Sequence, residues 1–141
     1  LTILEKGTDV TDICSNVDFP TMASPGSWVV NPEWAANNTD VIVRFNRAMF
    51  KAMDFASAAT SDDAVAQEVA GYVAKITGLD AESTIAQRYD GSWLNSTQVL
   101  EMIESGKLVE YYNNQQVNFG DAAGPLKAEE FVLVGLMVNA K

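Results

Sequence analysis

Histidine is absent from this chain, and cysteine occurs once, at Cys14. Without histidine, the commonest general base and the commonest transition-metal ligand near neutral pH are both missing. One thiol cannot close a disulfide within the chain, and with no histidine to join it no zinc site can be assembled. The ordinary role of such a cysteine is that of a small buried hydrophobe. Positive charge is also scarce: 9 Lys and Arg stand against 19 Asp and Glu, for a net charge of -10 and a pI near 4.2. There is no basic field to neutralise phosphates, which excludes nucleic acid, and none to hold an anionic membrane surface. The longest apolar run, Phe131 to Val138, falls far short of the roughly 20 residues that span a bilayer, so no membrane insertion is expected. Neither a Gly-x-Gly-x-x-Gly pattern nor a P-loop is found, so no phosphate cradle is signalled. No signal peptide is visible, and the chain opens at Leu1 without an initiator methionine, as expected of a mature product or a fragment.

What is present suits one soluble globular domain: 141 residues, 48% hydrophobic and 20% charged. The chain is organised around Ser27 to Thr60. It opens with a short apolar run, Trp28-Val29-Val30, that reads as a strand broken by Asn31-Pro32, since proline has no N–H to give a ladder. A long helix then starts near Asn38-Thr39-Asp40, with Asn38 as its expected N-cap. Asp40, Arg44, Arg47, Lys51 and Asp54 share one helical stripe, and nearly everything else is apolar. A helix wet only along a narrow stripe should be buried around most of its circumference.

Before this stretch, Leu1 to Asp18 reads as short extended pieces around a turn at Lys6-Gly7. Asp9, Asp12 and Asp18 lack the alternating ligand spacing, glycine and closing glutamate of a calcium loop, so they read as solvated turn carboxylates. Phe19 to Gly26, with two prolines and a glycine, reads as an irregular connection. After it, Ser61-Asp62-Asp63 starts a second helix with the stripe Val65, Val69, Tyr72, Val73 and Ile76, ended by Gly78. Asp80 caps a short third helix stopped by Asp90-Gly91. A fourth opens at Asn95 with Gln98 three residues on, a capping-box spacing, and turns Val99, Met102 and Ile103 to the core. Ser105-Gly106 breaks the chain before a helix from Leu108 to about Phe119, and Gly120 to Pro125 is a loop. Ala128 to Ala140 reads as one helix, apolar all round, that needs cover on several sides. Asn37 and Asn95 both fall in glycosylation sequons, but both lie at helix starts, where capping accounts for them.

Reactive chemistry is not signalled. Asp62-Asp63 and Glu129-Glu130 sit where a helix N-terminus favours negative charge, and Arg44, Arg47 and Lys51 read as a solvated stripe paired with Asp40 and Asp54. Trp28, Trp34 and Trp93 are too scattered to define a cage. On the residues alone this is a binding or structural domain, not an enzyme. Two stretches, Val41 to Ala59 and Phe131 to Val138, look more buried than one small bundle can arrange, as though the chain packs against something outside itself.

The ordered set of features resembles the periplasmic substrate-binding proteins of ABC importers, in the nitrate/sulfonate/taurine branch. The resemblance is carried by Val29-Val30-Asn31-Pro32-Glu33-Trp34-Ala35-Ala36-Asn37-Asn38, with Thr39 where the family usually has proline, and by Ile76-Thr77-Gly78-Leu79-Asp80. Arg88-Tyr89-Asp90 and Ser105-Gly106-Lys107-Leu108 add to it. It runs from about Val10 onward and covers only the C-terminal part of such a protein. It implies a mostly α chain with one or two short strands, the C-terminal portion of a two-lobed α/β periplasmic binding protein of type II. Residues 1–30 would end the second lobe and form the crossing strand, and 31–141 would be a helical segment completing the first lobe. It further implies a bacterial, periplasmic or otherwise extracytoplasmic protein whose partners are a small anionic solute, an ABC permease and the missing N-terminal lobe or a second chain. No cofactor is implied. Gly26, Ser27 and Trp28 would be the ligand-binding residues, Ser27 donating a hydrogen bond and Trp28 walling the pocket; plain hinge and core packing is their ordinary alternative. A rival reading is a helical protein-interaction module with a buried apolar C-terminal tail. An enzymatic rival, the related thiamine-pyrimidine synthase, relies on histidine and a cysteine cluster, which this chain lacks.

Overall fold

The computed structural model describes Thr11 and residues 26–89, 93–119 and 127–141. The expectations at Cys14, Lys6-Gly7, Asp9, Asp12, Asp18, most of Phe19 to Gly26, Asp90-Gly91 and Gly120 to Pro125 lie outside these residues. The described chain is mostly helical, as expected. Its elements are α1 (Pro32–Asn37), α2 (Thr39–Ala58), α3 (Asp63–Thr77), α4 (Ala81–Ala86) with a 3-10 turn over Gln87–Tyr89, α5 (Ser96–Glu104), α6 (Lys107–Phe119), α7 (Ala128–Phe131) and α8 (Val134–Val138). The described residues contain no strand. Trp28-Val29-Val30, expected as one, is irregular, for no neighbouring segment among them offers the backbone ladder a strand needs.

Two compact units divide the chain: 48–89 and 93–96, with Thr11, lie in one, and 26–47, 97–119 and 127–141 in the other. In the first, Asp62 caps α3 by accepting from the N–H groups of Ala64 and Val65, and Gly78 ends it at φ 73°, where a Cβ would be strained. Asp80 then caps α4 by accepting the Ser83 N–H at 2.8 Å. Helix α4 packs back on α3, whose buried residues are Ala66 and Ala70. The expected stripe is thus displaced: Val65, Val69 and Val73 are half-buried, but Tyr72 is exposed and Ile76 is 87% exposed. The deeply buried positions of α3 are small side chains, and the larger Tyr72 and Ile76 are left exposed.

In the second unit, Asn31 caps α1 from outside the helix, its Oδ1 accepting the Trp34 N–H at 3.0 Å, with Pro32 at the helix start. Asn38 joins α1 to α2. Its carbonyl accepts from Val41 and Ile42, as an N-cap's does, but its side-chain amide turns back and donates to the Trp34 carbonyl at 2.8 Å. Gly106, at φ 75°, separates α5 from α6. The apolar tail is not one helix. It breaks at Val132 and Leu133, which leave the helical region, so that α7 and α8 are two short turns. β-Branched Val132 and Val134 and the following Gly135 lower helix propensity there.

Helix α2 differs most from expectation. Its polar stripe is exposed, as expected, but the rest of its surface is not deeply covered: Phe50 is its only buried residue, and Phe45 and Phe55 are exposed. The buried residues among those described are mainly alanines, joined by Phe50, Val99 and Leu100, and no large side chain is fully buried.

Candidate functional site

Gly26, Ser27 and Trp28 lie in the irregular segment that leads into α1, and all three are exposed. Two long-range contacts hold this segment. The Ser27 Oγ lies 2.8 Å from the Tyr112 hydroxyl on α6, 85 residues along the chain. The Trp28 ring meets Phe45 of α2 edge-on, with centroids 5.6 Å apart. Tyr112 in turn meets Phe131 of α7 edge-on at 6.2 Å. Phe45, Trp28, Ser27, Tyr112 and Phe131 therefore form one connected strip, in which Trp28 remains 77% exposed. Neighbouring Asn113 fixes α7 beside it, with Oδ1 accepting the Ala128 N–H at 3.0 Å and Nδ2 reaching Glu129 at 3.4 Å.

The chain matches no family model, no curated protein and no solved structure.

The structure gives Ser27 and Trp28 defined partners, but nothing approaches the position a Cβ would occupy at Gly26. Tyr112 was not anticipated as a site residue. Its one sequence signal is the Tyr111-Tyr112 pair inside an otherwise Asn- and Gln-rich helix. The scattered tryptophans also separate: Trp28 joins the strip, while the Trp93 Nε1–H donates to the Arg88 carbonyl at 2.7 Å, in the other unit.

Two further features belong to single units. A shallow open groove of about 580 Å³ is lined by Val109 of α6 and by Val132, Leu133, Val134 and Leu136 of the tail, with Glu129 at its rim. Arg88, whose side chain is 20% exposed, donates from Nη1 to Asp63 at 2.8 Å and lies over the Tyr89 ring. The Asp63 bond raises the Arg88 pKa still further, and Nε is buried without a partner. Because Asp63 already meets its charge, Arg88 pins the end of α4 to the start of α3 and is not set up to receive an anion.

Two of the three basic residues on the α2 stripe, Arg44 and Arg47, are likewise engaged. Arg44 pairs with Asp40 at 3.1 Å, as expected, both ends well exposed and the pair accordingly weak. Arg47 Nε donates to the Ala140 carbonyl and Asn46 to the Leu136 carbonyl, so this side of α2 receives the carbonyl end of α8. Asp54 accepts from Ser96 through both carboxylate oxygens. No group of acidic, cysteine or histidine side chains among the described residues could hold a metal, and no helix among them is long and apolar enough to cross a membrane.

Proposed function

We propose that this chain is the C-terminal part of the solute-binding component of an ABC importer. Such a component captures a small organic or inorganic anion, such as a sulfonate, taurine or nitrate, between two lobes and delivers it to the permease. The observation that carries the reading is the exposure of Trp28-Val29-Val30. This β-branched apolar run has Val29 at 93% exposure and no ladder partner among the described residues. A segment that crosses between two lobes has this character, since its partners come from the other part of the protein. The ordered motifs from Val29 to Leu108 agree with the reading, as does a buried set too thin in large side chains to shelter Phe45, Phe55 and Phe131. Ser27 and Trp28 would face the solute, which favours the closed state by touching both lobes. The protein would work outside the cytoplasm of a bacterium.

Calorimetry tests this directly. The complete protein encoded by the gene that carries this chain should bind one of taurine, an alkylsulfonate or nitrate, and residues 1–141 alone should bind none. Micromolar binding by the isolated chain, or no binding by the complete protein, would overturn the reading.

The groove along α7 and α8 favours a second reading, a helical module that docks a protein partner on its tail. Light scattering that shows a monomer at all concentrations, together with no binding of an apolar dye, would count against it.

A further inference from the structure

The strip that runs from Phe45 through Trp28, Ser27 and Tyr112 to Phe131 carries aromatic faces and hydroxyls but no cation. Arg44, beside Phe45, is paired with Asp40. At the other end, α7 carries Glu129 and Glu130 in its first turn, and Glu129 accepts from Asn113, the neighbour of Tyr112. The chain as a whole bears a net charge of -10. An aromatic ring presents a negative face, which repels a bare anion and attracts an ammonium group, most strongly when the ring is tryptophan. Trp28 meets Phe45 edge-on and is 77% exposed, so at least one indole face is open. When Ser27 donates to Tyr112, the tyrosine keeps its own proton to give to an oxygen of a solute.

The geometry points to Trp28 as a specificity-determining residue that selects small zwitterions, its indole face receiving an ammonium group while the Tyr112 hydroxyl donates to a sulfonate or carboxylate oxygen. This inference rests on the solute-receptor reading above and narrows it, for a bare inorganic anion such as nitrate has nothing to place on the ring. Ser27 links the two: it is bonded to Tyr112 at 2.8 Å and covalently next to Trp28, so the donor lies one hydrogen bond from the residue that adjoins the aromatic ring.

The test compares taurine with 1-propanesulfonate, in which a methyl group replaces the ammonium, using calorimetry on the complete protein and on its Trp28→Leu and Trp28→Phe variants. The wild type should prefer taurine by roughly five- to thirtyfold, the range of a partly desolvated cation–π contact. Trp28→Leu should bind both sulfonates with equal affinity, and Trp28→Phe should keep part of the preference. Equal binding of the two by the wild type, equal losses for both in Trp28→Leu, or nitrate binding more tightly than taurine would overturn the inference and leave the importer reading standing. No binding of any of the three solutes would overturn both.

Discussion

Asp54 sits in the last turns of α2, where a negative charge opposes the helix dipole. Judged on its own helix, Asp54→Ala should stabilise the protein by a few tenths of a kcal/mol, about 0.3 on the scale of exposed dipole effects. The tertiary structure reverses that sign. The carboxylate accepts the Ser96 N–H at 2.7 Å and the Ser96 Oγ–H at 2.8 Å, and so satisfies a free donor at the start of α5 from 42 residues away. Both bonds are charge-assisted, but the carboxylate is exposed, so the expected loss lies at the cap-removal scale of about 1 to 2 kcal/mol. With a urea m-value of about 1.5 kcal/mol/M, the unfolding midpoint should fall by about 1 M. Asp54→Asn keeps an acceptor without the charge and should lose about half as much. Ser96→Ala removes only the hydroxyl bond, and the double variant should show a coupling of about 0.5 to 1 kcal/mol. An unchanged or raised midpoint for Asp54→Ala, or strictly additive losses in the double variant, would refute the clamp.

Gly78→Ala should destabilise by about 1 kcal/mol, because φ 73° strains any side chain although nothing crowds the new Cβ; an unchanged urea midpoint would show that the turn relaxes freely. Asp80 is held below the ordinary aspartate pKa by the Ser83 N–H and hydroxyl that its carboxylate accepts. A depressed pKa in the folded state means that its contribution is fully present above the unfolded-state value of about 3.9 and is lost as the pH falls through the folded value. The stability gap between wild type and Asp80→Asn should therefore be constant above about pH 5 and shrink below about pH 4, and an equal gap at pH 6 and pH 2.5 would disprove the linkage.

Much of the architecture was legible because its signals act over one helical turn. Asp62, Asp80, Gly78 and Gly106 each satisfy or strain backbone groups within a few residues of themselves, so residue type alone placed those helix ends; Asn31 before Pro32, read as the end of a strand, instead caps α1. Ser27 and Trp28 could be singled out from their motif, but not Tyr112, whose partner lies 85 residues away. Burial was poorly legible. A helical stripe reports which side chains are apolar, not how closely a neighbour comes, so Ala66 and Ala70 are buried while Ile76 is left in solvent.

Local hydrogen-bond chemistry and backbone sterics are written residue by residue, and by themselves they determined a helical chain with the ends of α3, α4 and α5 near their observed places; the short helix α1 was not read from them. The tertiary structure alone decided that Asp54 clamps Ser96 and that Asn46 and Arg47 donate to the carbonyls of the tail. It also decided that Trp28 stays open beside Phe45. Each of these depends on which distant groups meet, and the hydrophobic effect that brings apolar surfaces together is non-directional, so pattern alone does not specify the partner.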